Sequence, residues 1–205
     1  MSSEAEITAA RVPKQQRGKQ RVAELLRAAT TVFAEKGYEA ATMTEIAACA
    51  DAPIGSLYQF FPDKEALADT LVQNYAALLA TDLKALEASA SRVNTGKLVG
   101  ALFGLLRAHP RERDAALPIV EARMDPPTRR TTFRPMLRGY VAAILLAHVP
   151  GLAENAARDM AIVVLQLMKA ASGLSDEEDL PGRATGLREL QALAVHYLQQ
   201  RVRAG

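Results

Sequence analysis

From Arg17 onward, Val22, Leu26, Ala29 and Phe33 recur at the three-, four- and seven-residue spacing of one helix face, and polar residues fill the positions between them. Gly37 follows the last of these and predicts an αL cap, which gives a first helix over 17–36. The preceding residues, 1–16, are polar and aperiodic and contain Pro13, so they read as a flexible arm. After Gly37 the pattern shortens. Thr42 with Glu45 three residues on is a capping box, and it opens a short helix over 44–50. Asp51-Ala52-Pro53 breaks that helix, because Asp tolerates the αL backbone of a tight turn and Pro suits the first turn of the next helix. A second short helix spans 54–60. Pro62 ends it, and Asp63 caps a long helix that follows.

Two helices of about seven residues cannot stand alone, so they must pack on neighbours. Ala47 and Ala50 allow them to cross closely, and Ile46, Leu57 and Phe61 offer a core toward the first helix. This is the layout of a helix-turn-helix. Beyond it the apolar periodicity predicts further helices at about 63–89, 95–107, 112–124, 131–148, 153–173 and 184–203, separated by His109-Pro110, Asp125-Pro126-Pro127, Val149-Pro150-Gly151 and the acidic loop 175–182. The expected fold is all-α: a three-helix DNA-binding unit followed by a body of six to seven helices. The expected division is an arm at 1–16, a helix-turn-helix domain at 17–62 and a larger helical domain at 63–205.

Composition agrees with helices. Apolar residues make up 49% of the chain, Trp is absent and aromatics are 5%, and Ala and Leu, which lose little rotamer freedom in a helix, dominate the apolar set. The formal net charge of +2 carries little information, but its distribution carries more. Arg11, Lys14, Arg17, Lys19, Arg21 and Arg27 face only Glu24 over residues 11–27, a segment able to neutralise phosphates. Residues 1–75 as a whole hold 8 basic and 10 acidic residues, so charge alone does not mark this half as a DNA binder.

In a helix-turn-helix the N-terminal residues of the second helix face base edges in the major groove. Here they are Ile54, Gly55, Ser56 and Gln59. Ile54 fits a thymine methyl, Gly55 allows close approach, Ser56 can donate or accept, and Gln59 can bond adenine bidentately. Tyr58 and Lys64 suit phosphates. The run Glu35-Lys36-Gly37-Tyr38, then Thr42, Ile46-Ala47 and Gly55-Ser56-Leu57-Tyr58-Gln59-Phe60-Phe61-Pro62-Asp63-Lys64-Glu65-Ala66-Leu67 resembles the TetR family of bacterial transcriptional regulators over about residues 17–70.

The resemblance implies a homodimer on a palindromic double-stranded DNA operator, acting as a repressor, and a divergent helical domain that binds a small molecule. It places Tyr58 at phosphate and brings the start of the first helix, with Arg17, Lys19 and Arg21, beside DNA. The family usually has Gly where Asp51 stands and often a capping Ser where Pro53 stands. Pro53 can neither cap nor touch phosphate, which moves that role to Thr42, Tyr58 and Lys64. Phe60 and Phe61 are read as core. A regulator of this fold acting as an adaptor through a protein partner, without an inducer, is the alternative.

In the C-terminal half, one stripe of Met160, Val164, Leu167 and Ala171 and another of Leu187, Leu190, Ala194 and Leu198 recur at helical spacing, with Val163, Met168, Leu193 and Tyr197 on adjacent faces. The resemblance implies that the last two helices pair across a homodimer through these stripes. A pocket is expected among residues 95–173, with Phe103, Met124, Met136, Tyr140 and Met168, and also Phe133, as adaptable walls and His109, Arg123 and Arg134 as polar handles.

Cys49 is expected to be buried as a small apolar residue. His109, His148 and His196 have no partner at metal-ligand spacing, and His148 is placed to serve a helix C-terminus, so neither a metal nor another cofactor is expected. Glycine-rich phosphate loops, nucleophile elbows and zinc-protease helices are absent from the sequence, and no enzyme is expected. The longest uncharged stretch, 139–153, falls short of the ~20 residues of a membrane span, and residue 1 is not followed by a signal-peptide core. The chain is therefore expected to be cytoplasmic, without a membrane partner.

Overall fold

The computed structural model describes residues 14–123 and 134–203, and among these the regular elements are all helical. They are α1 (Lys14–Ala40), α2 (Met43–Cys49), α3 (Ile54–Phe60), α4 (Lys64–Ser89), α5 (Thr95–Gly104), α6 (Pro110–Arg123), α7 (Arg134–His148), α8 (Glu154–Asp176) and α9 (Arg183–Arg203). Each matches a helix anticipated from periodicity. Residues 14–16, expected to belong to the arm, are the first turn of α1; the rest of the arm lies outside the described residues.

The helix ends show why the sequence folds this way. Gly37 breaks α1 as expected, but at φ 76 and ψ 165 it occupies a glycine-only extended region rather than the αL cap. Thr42 Oγ accepts from Glu45 N at 3.2 Å while Glu45 Oε2 accepts from Thr42 N at 3.1 Å, which closes the capping box. Asp51 sits at φ 46. The N–H of Asp51 donates to Ala48 O and that of Ala52 to Ala47 O, so the α2–α3 turn is a Schellman cap with Asp in the place glycine prefers. Asp63 Oδ1 accepts from Ala66 N at 2.7 Å and caps α4. Asn94 caps α5 in the same way, accepting from Lys97 N.

The helices enclose two main cores. The first gathers Leu25, Ala29 and Phe33 of α1, Ile46 and Ala47 of α2, Leu57 of α3, Phe61, and Leu67 and Leu71 of α4. It also takes in Ala115 and Ile119 of α6. The N-terminal helices therefore bury their base against α6, far along the chain, and their core reaches well past residue 62. The second core holds Leu83 of α4, Leu98 and Leu102 of α5, Ile144 and Leu145 of α7, Met160 and Val164 of α8, and Ala194 and Leu198 of α9. Helix α4 runs through both cores and links them.

His148, the last residue of α7, forms a joint rather than a simple dipole partner. Its Nδ1 lies 2.8 Å from Ala90 O and its Nε2 lies 3.2 Å from Thr95 Oγ. A carbonyl can only accept, so Nδ1 carries a proton and donates to Ala90 O, and Nε2 shares a hydrogen bond with the threonine hydroxyl. No described helix is long and apolar enough to cross a membrane.

Candidate nucleic-acid interface

Leu57 is the only fully buried residue of α3. It joins Ile46 and Phe61 in the first core. Most of what remains is presented outward: Tyr58 is 51% exposed, Ile54 is 40% exposed, and Gly55 and Gln59 are exposed, while Ser56 is half-buried. A seven-residue helix buries so little because only one narrow face of it, centred on Leu57, rests on the core and the rest faces solvent.

Phe60, expected in the core, is exposed. The chain turns out of α3 immediately after it, and Phe61 takes the inward position with its N–H donating to Leu57 O. Periodicity cannot separate two adjacent phenylalanines at a helix end. Cys49 is likewise exposed rather than buried. The inward face of α2 is set by Met43, Ile46 and Ala47, and at 100° per residue Cys49 points well away from it.

As expected, Pro53 makes no side-chain cap on α3; its carbonyl accepts from Ser56 N at 2.8 Å. Thr42 is exposed, but its hydroxyl lies 3.0 Å from Glu45 Oε2, and Lys36 Nζ pairs with the other carboxylate oxygen at 2.6 Å. The Lys36 hydrogen bond, followed by those from Thr42, holds the Glu45 carboxyl below its ordinary range. Arg17 and Lys19 are exposed on α1, and Arg21 pairs with Glu24 at 3.0 Å.

Lys64 is the residue whose surroundings the sequence concealed. Its ammonium donates to Tyr38 O at 2.9 Å, Glu39 O at 3.2 Å and Ala41 O at 3.2 Å. It also lies 4.5 Å from the centroid of the Tyr38 ring. All three protons are thus spent on carbonyls that follow the break in α1, and the first turn of α4 is clamped to the end of α1. Arg123, at the end of α6, approaches the same ring at 5.6 Å and donates to Glu65 O and Asp69 Oδ1. Burial raises the Tyr38 hydroxyl pKa, with Arg123 opposing that shift.

The residues expected to form one pocket are dispersed. Phe103, Tyr140 and Met168 meet in or against the second core, and Met136 is exposed on α7. His109 Nε2 pairs with Asp82 Oδ2 at 2.7 Å at the start of α6, from a backbone at φ 52. Arg123 is engaged as just described. Met124 and Phe133 lie outside the described residues, as does the side chain of Arg134. Of the stripes expected to pair across a dimer, Met160, Val164, Ala194 and Leu198 are buried in the protomer's own core. Leu167, Leu190 and Tyr197 are half-buried, while Ile162 and Leu193 are exposed.

A trihelical head carrying one solvent-facing helix is the geometry of a DNA-reading module. Residues 25–71 match the family model described as bacterial regulatory proteins, tetR family. The chain thus carries the N-terminal helix-turn-helix domain of the TetR family of bacterial regulators. Among curated proteins, none matches.

Solved structures similar to this chain include CprB from S. coelicolor A3(2), described as a TetR family protein, at TM-score 0.61 and 23% identity over 86% of this chain and 87% of that one. The multidrug binding protein EbrR complexed with imidazole gives a TM-score of 0.60 at 20% identity, over 88% and 94% of the two chains. A gamma-butyrolactone receptor described as ArpA-like gives 0.55 at 21%, over 88% and 99%. The similarity spans nearly the whole of each structure, so the fold extends through the C-terminal helices. The protein is a DNA-binding transcriptional regulator.

Proposed function

We propose that this chain is a repressor that grips a palindromic operator as a homodimer through α3 and lets go when a small molecule binds the C-terminal body. The observation that carries this reading is the presentation of α3: Leu57 alone anchors it, while Ile54, Gly55, Tyr58 and Gln59 are offered to solvent. Gln59 supplies a bidentate partner for adenine, and Ile54 together with Phe60 supplies apolar contacts for thymine methyls. Tyr58, Thr42, Arg17 and Lys19 flank these as phosphate contacts. Lys64 acts on DNA indirectly, by fixing the head.

The relatives support the sensing half of the reading, since similar structures are described as a gamma-butyrolactone receptor and a multidrug binding protein. For the dimer, α8 and α9 offer Ile162 and Leu193, both exposed, and the half-buried Leu190, while Leu167 and Tyr197 pack partly against the protomer's own core. A twofold dimer that reads a palindrome must present its two α3 helices to half-sites about one turn, roughly 34 Å, apart.

Footprinting on the promoter of the chain's own gene tests this directly. A symmetric protected site is expected, with Gln59→Ala costing about 1–3 kcal/mol of specific affinity. Specific affinity that is unchanged in both Gln59→Ala and Tyr58→Ala rules the reading out.

A further inference from the structure

A cleft of about 280 Å³ opens between α5, the end of α8 and the start of α9. Phe103, Leu106 and Leu187 supply the large apolar side chains of its lining. Its rim is cationic, with Arg107 and Arg188, both exposed, and Gln191 beside them. Among the described residues, no carboxylate lines it. Arg188 donates from Nη2 to Thr185 Oγ at 2.9 Å and keeps its other N–H groups. Arg107 makes no hydrogen bond or ion pair among the described residues. Ser175, also on the wall, spends its proton on Ala171 O at 2.8 Å, so the side-chain donors of the cleft are the two guanidinium groups and Gln191.

Gly104 lines the cleft. It has helical backbone, φ −60 and ψ −32, yet a Cβ built there would meet nothing within 4 Å. At roughly 30 Å³ per water the cleft holds about nine such volumes, the bulk of a short-chain molecule of about ten heavy atoms.

Two guanidinium groups in one cleft with Phe103, Leu106 and Leu187 match an anionic head, held by charge-assisted and potentially bidentate hydrogen bonds, on a short hydrocarbon body. We infer that the cleft binds an amphipathic monocarboxylate, with Arg107, Arg188 and Gln191 on the carboxylate and the tail over Phe103, Leu106 and Leu187. This names the ligand class for the sensing role proposed above, and only the ligand's effect on DNA rests on that role. Because α5, α8 and α9 all contribute, an occupant would set how α9 lies on α5.

Octanoate serves as the probe, with octanol and octylamine as controls of the same length, titrated calorimetrically into the full chain. Octanoate is expected to bind at least about tenfold more tightly than octanol, and octylamine to bind no better than octanol. The double variant Arg107→Gln/Arg188→Gln is expected to lose about that factor. Gly104→Leu is expected to abolish octanoate binding while holding or raising Tm, since it fills the cleft and improves the helix. Absence of octanoate binding, equal affinity for octanoate and octanol, or unchanged octanoate affinity in Gly104→Leu overturns the site. Octanoate that binds as expected but leaves promoter DNA bound supports the site and overturns the sensing role instead.

Discussion

The reading head and the C-terminal body use helices in opposite ways. In the head, α3 buries one side chain and presents most of the rest, so its functional surface is a continuous stretch of sequence. In the body, α8 buries Ala157, Met160, Ala161, Val164, Met168 and Ala171, and what it leaves outside is scattered. A short helix pinned at one point can be read residue by residue. A long helix packed on several neighbours cannot, because each of its faces has a different owner.

The sharpest way to break this contrast is to remove one anchor from each region. Leu57→Ala is expected to cost about 2–5 kcal/mol and to abolish DNA binding, measured by urea unfolding and by operator titration. Leu193→Ala, at a side chain 54% exposed, is expected to leave protomer stability within about 0.5 kcal/mol while weakening the dimer in sedimentation. A large stability loss from Leu193→Ala would place that residue in the protomer's core and erase the distinction.

Next in size is Lys64. Its ammonium holds three carbonyls and faces the Tyr38 ring, so Lys64→Ala is expected to cost about 2 kcal/mol. Operator affinity should fall while the slope of log affinity against log salt stays the same. A slope reduced by about one would instead place this ammonium on a phosphate.

Smaller again is Pro53→Ser, which gives α3 the side-chain cap it lacks and should add about 0.5–1 kcal/mol to stability by thermal melting. Unchanged stability would show that the α3 N-terminus is already satisfied.

The smallest effect concerns acid. The Glu45 carboxyl titrates below its ordinary 4.5 in the folded chain, so its contribution is complete above that pH and is lost as pH falls through the depressed value. Glu45→Gln is expected to remove that part of the acid sensitivity of stability, compared by melts between neutral and acid pH.

Local signals were legible wherever one or two residues determine an outcome. The Thr42–Glu45 box, the Asp51 turn and the Asp63 cap each depend on atoms within three or four positions, and all three formed as their residue types require. Phe60 and Cys49 depart from expectation because burial depends on which side of a helix the neighbours occupy, and no repeat spacing reports that. Met160, Val164, Ala194 and Leu198 have the spacing of an interface stripe, and equally of the inner face of a protomer.

By itself the sequence determined the helices, their ends, the helix-turn-helix and the type of surface it offers, because capping chemistry and apolar periodicity are properties of neighbours along the chain. Only the tertiary structure decided that Lys64 clamps the end of α1, that Arg123 ties α6 to α4 beneath the head, and that Arg107 and Arg188 share a cleft. Those partners lie 23 to 81 residues apart in the chain, a separation that only the packing of whole helices against one another can close.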